Sequence, residues 1–411
     1  MTPATISLGA LLLAILLSCF ARVNIGVLAL LLAWIVGAGF AGMTLKQIVT
    51  GFPVELFLTM FGVTLLFTQA KLNGTLDHVA RRSVRLCRGR IGLIPVMFFF
   101  LGAVLASLGP GNIAVAALLA PIAMSVAGEM AIPAFLMAIM IGNGANAGSL
   151  SPFAPTGIIV NSMMGRIGLG GHEWTTWWFN FSGHAAVGFA GYLALGGIAL
   201  LRQPRSVEVE SKDSEMTWRH GLTIAVIVAM LVAVAFAKVP IGMAAFAGAL
   251  ILVFAQAADD TAAISEMPWS TIVMVCGMTV LISILERTAG IDLLASLMAR
   301  VSTPATATGV CAFITGLISA YSSTSGVVLP AFLPVVPSLV RELGGGDPFL
   351  VASSMNVGGH LVDVSPLSTI GALCIASAAA GVDTRKLFHQ MLAWGMSMTV
   401  IGSLLCWIFL R

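Results

Sequence analysis

"GNGANAGSLSPFAPTG", Gly142 to Gly157, follows the apolar run "AIPAFLMAIMI" and is itself followed by "IIVNSMM". The flanks read as membrane helix; the middle is glycine, asparagine, serine and proline. In hydrocarbon an unpaired backbone amide or carbonyl costs several kcal/mol. Irregular backbone survives at that depth only where protein or a watery cavity surrounds it. The stretch therefore predicts a broken helix over about 131–164, with something bound at the break.

Composition supports the membrane setting. Of 411 residues, 58% are hydrophobic and 9% charged, where soluble domains carry about 25% charged residues. Long apolar runs separated by turn signals read as an all-α polytopic membrane protein rather than a β-barrel. The first apolar segment, Ile6 to Phe20, lacks the basic start and small-residue cleavage site of a signal peptide, and reads as the first span. The six cysteines show no CxxC or metal spacing and read as small packing residues. No basic patch with interleaved aromatics suggests nucleic acid.

Ten spans can be marked: 4–20, 23–42, 53–70, 131–164, 179–201, 220–237, 240–256, 270–288, 348–380 and 389–410. Two further apolar stretches, about 92–124 and 305–340, carry polar tips, "SLGPGN" (107–112) and "AYSSTSG" (320–326). Each reads as a re-entrant helical hairpin. The chain also repeats itself. "FPVELFLTMFGVTLLF" at 52–67 matches "MPWSTIVMVCGMTVLI" at 267–282. "AFLMAIMIGNGANAGSLSPFAPTG" at 134–157 matches "PFLVASSMNVGGHLVDVSPLSTIG" at 348–371. Gly144 falls on Gly358, Ser151-Pro152 on Ser365-Pro366, Gly157 on Gly371, and Pro121 pairs with Pro334.

Each half then holds five spans, one of them broken at about 131–164 or 348–380, plus one hairpin. Five is odd, so the second half inserts upside down, giving two inverted-topology repeats at 1–201 and 220–411. The mixed-charge segment 202–219 reads as a cytoplasmic linker. The segment 71–90 reads as an interfacial amphipathic helix whose arginines meet lipid headgroups. With that segment inside, thirteen of the 20 Lys and Arg residues face the cytoplasm, which places both termini outside. "HEWTTWWF" (172–179) reads as an aromatic belt at the outer surface.

Two tips and two breaks make four polar interruptions. Half-helix N-termini attract anions and free carbonyls hold cations. Asn143, Asn146, Ser149 and Ser151 near the first break, and Asn356, His360, Asp363 and Ser365 near the second, are candidate cation ligands, with Na⁺ the ion that neutral oxygens suit. The tips contribute Gly111, Asn112, Ser323, Thr324 and Ser325, and the far sides of the breaks Pro155, Thr156, Ser368 and Thr369, as candidate substrate contacts. No lysine or arginine lies in any interruption. An anion bound there needs a co-bound cation, which argues for symport. Asp363 and His360, ionisable groups inside the membrane, leave proton coupling open. His184 reads as a core histidine. A channel is disfavoured by inverted halves. An enzyme is disfavoured by the absence of HExxH, GxSxG or paired aspartates on neighbouring spans.

Hairpin, broken helix and a repeat of both resemble the plan of the ion transporter superfamily. "GNGANAGSLSPFAPTGIIVN" looks most like the MatC-type dicarboxylate (malonate) carriers, which are similar to the divalent-anion/sodium symporters. The resemblance covers the whole chain in plan and is carried by 106–122, 142–161, 319–337 and 353–372. It implies a homodimer in the cell's inner (plasma) membrane and an elevator-type movement. It also implies uptake of a small C3–C4 dicarboxylate held between the hairpin tips and flanked by two Na⁺ sites. No cofactor beyond the coupling ion, Na⁺ or H⁺, is implied. A proton-coupled carboxylate transporter or a sodium/proton antiporter of the same superfamily is the alternative. The symporters carry Ser-Asn-Thr ten residues before a proline. Here that position holds Gly111-Asn112-Ile113 before Pro121 and Thr324-Ser325-Gly326 before Pro334, so only Asn112 keeps its motif identity.

Overall fold

In the computed structural model, which describes residues 2–20, 23–84, 90–202 and 216–410, the chain runs twice through the same succession of helices. The first half has α1 (Pro3–Phe20), α2 (Ile25–Gly39), a short α3 (Leu45–Val49), α4 (Val54–Leu72) and α5 (Thr75–Val84). A helical hairpin follows, α6 (Leu93–Leu108) and α7 (Gly111–Glu129). Then come an interrupted pair, α8 (Ala134–Gly148) and α9 (Pro155–Arg166), and α10 (Glu173–Ala194). After a short α11 (Gly197–Arg202) the order recurs as α12 (Trp218–Ala237), α13 (Ile241–Phe254), a short α14 (Asp260–Glu266), α15 (Trp269–Arg287) and α16 (Gly290–Ala299). The second hairpin descends through α17 (Ala307–Ser319). It returns through a π-helical turn at Thr324–Val328, α18 (Leu329–Phe332), a 3-10 turn and α19 (Val336–Leu343). The second interrupted pair is α20 (Pro348–Leu361) and α21 (Thr369–Ala376), and α22 (Thr384–Phe409) closes the chain. There are no strands among the described residues. Seven helices there are long and apolar enough to cross a membrane.

Burial runs opposite to that of a soluble protein. Leu12, Trp34, Val104, Phe236, Phe254 and Ile408 stand exposed on outer faces, as lipid contact requires. Asn143, Asn146, Ser149, Asn180, His184 and His360 are buried in the interior. This is a multi-pass membrane protein.

Glycine sets how closely the helices cross. α2 packs on α15, and α13 on α4. At the first crossing a Cβ on Gly277 would run into the Gly26 carbonyl. At the second, a Cβ on Gly62 would run into the Gly242 carbonyl. Small residues allow such backbone approach where no hydrophobic gain exists between helices in lipid. Each crossing joins the second helix of one half to the fourth helix of the other.

The same force corrects the sequence reading of the break. The GNGANAG stretch does not break the helix: α8 continues through it to Gly148. Glycine costs a helix about 1 kcal/mol relative to alanine, but here α6 lies against it. A Cβ on Gly144 would overlap the Phe99 carbonyl, and one on Gly148 the Ala103 carbonyl. The interruption is confined to Ser149–Ala154, where Pro152 lacks an N–H, and Pro155 opens α9 at a position where none is needed. The second interruption is likewise short, between Leu361 and Thr369. The short helices α3, α14 and α16 were not distinguished from their neighbouring loops in the sequence. In the 71–90 segment, α5 is helical from Thr75 and residues 85–89 lie outside the described residues, as do 203–215 of the expected linker.

Candidate functional site

The first tip turns through "GPG", with Gly109 and Gly111 at φ of 146° and 79°, backbone that a side chain would strain. Asn112 follows as the second residue of α7, and its Nδ2 donates to Asn146 Oδ1 at 2.8 Å. Ser151 Oγ donates to the Ser107 carbonyl at 2.7 Å, and Trp177 Nε1 donates to Ser107 Oγ at 3.1 Å. The tip is thus pinned to the end of α8 by an amide, to the first break by a hydroxyl and to α10 by an indole.

The second tip is pinned differently. Ser323 caps the returning leg by accepting from the Gly326 amide at 3.1 Å. Thr324 Oγ1 donates to Asp363 Oδ1 at 2.8 Å, a hydrogen bond to a carboxylate and so among the stronger kind when the group is ionised. Ser368 caps α21 and its hydroxyl donates to the Asp363 carbonyl. Ser322 and Ser18 share a hydroxyl–hydroxyl bond of 2.6 Å, tying the tip to α1.

Two cavities meet at the tips. The first, about 270 Å³, is lined by Gly111, Asn112, Pro155, Thr156 and Ser325, among others. The second, about 250 Å³, is lined by Asn112, Ser323, Thr324, Ser325, His360, Asp363, Ser368 and Thr369, among others. Asn112, Ile113 and Ser325 line both. All nine residues expected to contact substrate therefore face one cavity or the other.

The expected cation ligands divide. His360 and Asp363 line the second cavity. Asn143, Asn146, Ser149, Ser151, Asn356 and Ser365 line neither of these two and stand one layer behind. Asn143 Nδ2 donates to the Ile139 carbonyl at 3.0 Å, which leaves its Oδ1 to accept from His184 Nδ1 at 3.0 Å. Asn356 Nδ2 reaches Met164 Sδ at 3.6 Å. Ser149 Oγ donates to the Asn146 carbonyl at 2.7 Å, and Ser365 Oγ accepts from the Leu367 amide at 3.2 Å. Asn146 is the link between layers, since its side chain holds Asn112 and its carbonyl also accepts from Asn180 Nδ2 at 2.7 Å.

Trp177, Asn180 and His184 are the contributions that sequence reasoning missed. They follow one another at spacings of three and four, so one face of α10 turns polar toward α8. That spacing was readable, but an aromatic belt and a lone core histidine were the simpler interpretations. Trp174 and Trp178 are exposed, as a belt requires; Trp177 is turned in.

Residues 1–149 match the model of the family described as dicarboxylate carrier protein MatC N-terminus. No curated protein matches the chain. Among solved structures, the YdaH transporter of Alcanivorax borkumensis superposes with a TM-score of 0.59 at 16% identity, over 100% of this chain and 98% of its own. MtrF of Neisseria gonorrhoeae, described as illuminating a class of antimetabolite efflux pumps, superposes with a TM-score of 0.58 at 14% identity, over 100% and 95%. The whole chain thus has the fold of these two proteins. Over its first 149 residues it is similar to the N-terminus of the MatC dicarboxylate carriers.

Proposed function

We propose that this protein is a secondary transporter that takes up a small C3–C4 dicarboxylate, of the malonate, succinate, fumarate or malate class, together with Na⁺. The observation that carries this is the meeting of both tips, Asn112 and Ser325, at two adjoining cavities, each bordered by the far side of a helix break. Asn112 and Ser325 donate side-chain hydrogen bonds to the carboxylates, and Thr324, whose hydroxyl proton is engaged by Asp363, offers its backbone N–H at the start of the returning leg. The N-termini of α9 and α21, at Pro155–Thr156 and Ser368–Thr369, add the positive end of each half-helix. Carbonyls freed between Ser149 and Ala154, backed by Asn146, hold one cation; Asp363 and the carbonyls around Ser365 hold a second. A dianion among neutral donors is poorly compensated, so its binding and that of the cations reinforce one another.

The two successions of helices act as inverted repeats, 1–201 and 220–411. The tips and breaks move as a unit past the crossings of α2 with α15 and of α4 with α13, in an elevator exchange within a homodimer of the inner membrane, termini outside. One observation favours a second reading. His360 and Asp363 line the same cavity, so a proton in place of one Na⁺ would find acceptors there. A sodium/proton antiporter needs the same acceptors and no organic substrate.

Uptake of labelled malonate and succinate into proteoliposomes tests these readings. Accumulation under an inward Na⁺ gradient is expected. Accumulation under an inward H⁺ gradient alone replaces Na⁺ by H⁺. Failure under every gradient, with substrate loaded on either side, sinks the dicarboxylate reading.

A further inference from the structure

The first cavity has one feature that neither tip nor break supplies. Among its lining residues only Lys71 and Glu266 carry formal charge. Lys71 sits in the last turn of α4 and Glu266 ends α14, so the pair spans the two halves of the chain. Their side chains are 51% and 49% exposed, with Lys71 Nζ 3.3 Å from Glu266 Oε2. The second cavity has no lysine or arginine among its lining residues and presents the Asp363 carboxyl instead.

We infer that Lys71 is the outermost contact of the anionic substrate at the mouth of the first cavity, the cytoplasmic end in the topology proposed above, and that a substrate carboxylate takes it from Glu266. The inference rests on the dicarboxylate reading above. Its physical basis is an exchange of like for like. A half-exposed ion pair holds its members weakly. An arriving carboxylate makes the same charge-assisted bond to Nζ that Glu266 makes. Glu266 stays hydrated when released, so little is lost in the swap. Lysine suits this role because its ammonium is a point charge on a flexible stem, able to turn from Glu266 toward Asn112 and Ser325 without a fixed docking geometry. Beyond Lys71 the polar wall is neutral, with Thr64, Thr68, Asn112, Thr156 and Ser325. An ammonium at the mouth also raises the local concentration of anions.

A simple brace between α4 and α14 makes the opposite forecast. Removing either member of a brace has the same effect, whereas a contact and its competitor have opposite effects. The test is the malonate- and succinate-dependent rise in thermal midpoint of the full-length protein in detergent at low salt, for wild type, Lys71→Gln, Glu266→Gln and Asn112→Ala. Lys71→Gln should weaken the apparent affinity about three- to fivefold and Glu266→Gln should tighten it about twofold. Both differences should shrink at high salt. Asn112→Ala should lose most of the response. If Lys71→Gln and Glu266→Gln change affinity in the same direction, or neither changes it while Asn112→Ala still does, the Lys71 inference is overturned and the dicarboxylate reading stands. A wild type that responds to neither acid overturns both.

Discussion

At the first break the residues behind and beside the tip are Asn146 and Ser149; the same repeat positions in the second half hold His360 and Asp363. The backbone at the two places is nearly interchangeable. A Cβ on Gly157 would strike the Ser151 carbonyl and one on Gly371 the Ser365 carbonyl. Gly144 is pressed against α6 as Gly358 is against α17. Glycines at matching places thus shape both breaks, while the side chains filling them differ in kind. The first tip hangs from a neutral amide, the second from a carboxylate. Two halves with one architecture need not do equal work, and of the two breaks only the second carries ionisable side chains.

The strongest way to break that comparison is to remove the charge. Asp363→Asn should lower initial malonate uptake about a hundredfold, since a charged hydrogen-bonding group at a cation site is worth a few kcal/mol. Ser149→Ala, at the matching position, should lower it only a few-fold. Both proteins should keep their thermal midpoints, because asparagine can still accept from Thr324. Equal losses would mean that the charge at Asp363 has no special role. An Asp363→Asn protein that keeps Na⁺-driven uptake but no longer responds to an inward proton gradient would make Asp363 the proton carrier.

Next come the tips. Asn112→Ala should raise the KM for malonate about thirtyfold, because it removes a substrate donor and leaves Asn146 Oδ1 buried without its partner. Thr324→Val should cost about tenfold, as the neighbouring Ser325 hydroxyl remains. If Thr324→Val is the more damaging, the second tip rather than the first dominates substrate binding.

Glycine substitutions sharpen the shared part of the comparison. Gly144→Ala and Gly358→Ala should each destabilise by about 1–3 kcal/mol through overpacking against backbone that cannot yield, read as a lowered thermal midpoint in detergent. Effects that differ severalfold between the two would show that the halves are not packed alike.

How much of this was legible beforehand follows from what each residue does. The tips and breaks were readable because proline, glycine and clustered hydroxyls inside apolar runs have no other cheap use in hydrocarbon. The extent of the first break was not, because Gly142, Gly144 and Gly148 serve helix contact rather than chain turning, and that depends on α6 lying alongside. The crossing of Gly26 with Gly277 is a long-range pairing with no local trace. Lys71 passed for one more basic residue of a cytoplasmic segment, since its partner Glu266 lies 195 residues away. The inner layer of Asn143, Asn180 and His184 was hidden for a related reason: a lone polar residue on an apolar helix shows its meaning only when the facing helix is known.

That inner layer supplies the smallest expected effect. His184 and His360 are both buried, and each has Nδ1 against an oxygen acceptor, Asn143 Oδ1 at 3.0 Å and the Asn356 carbonyl at 2.8 Å. The acceptors fix the proton on Nδ1 in both rings, so the two imidazoles are the same tautomer. They differ in what lies in front of them, because His360 lines the second cavity beside Asp363 and His184 lines neither. His184→Gln, which can keep a donor toward Asn143, should therefore change uptake by no more than about threefold. His360→Gln should change it more, and should alter the response to an imposed proton gradient. Equal sensitivity of the two would extend the functional site inward from the cavity to α10, and the contrast between a neutral first break and a titratable second break would no longer describe the site.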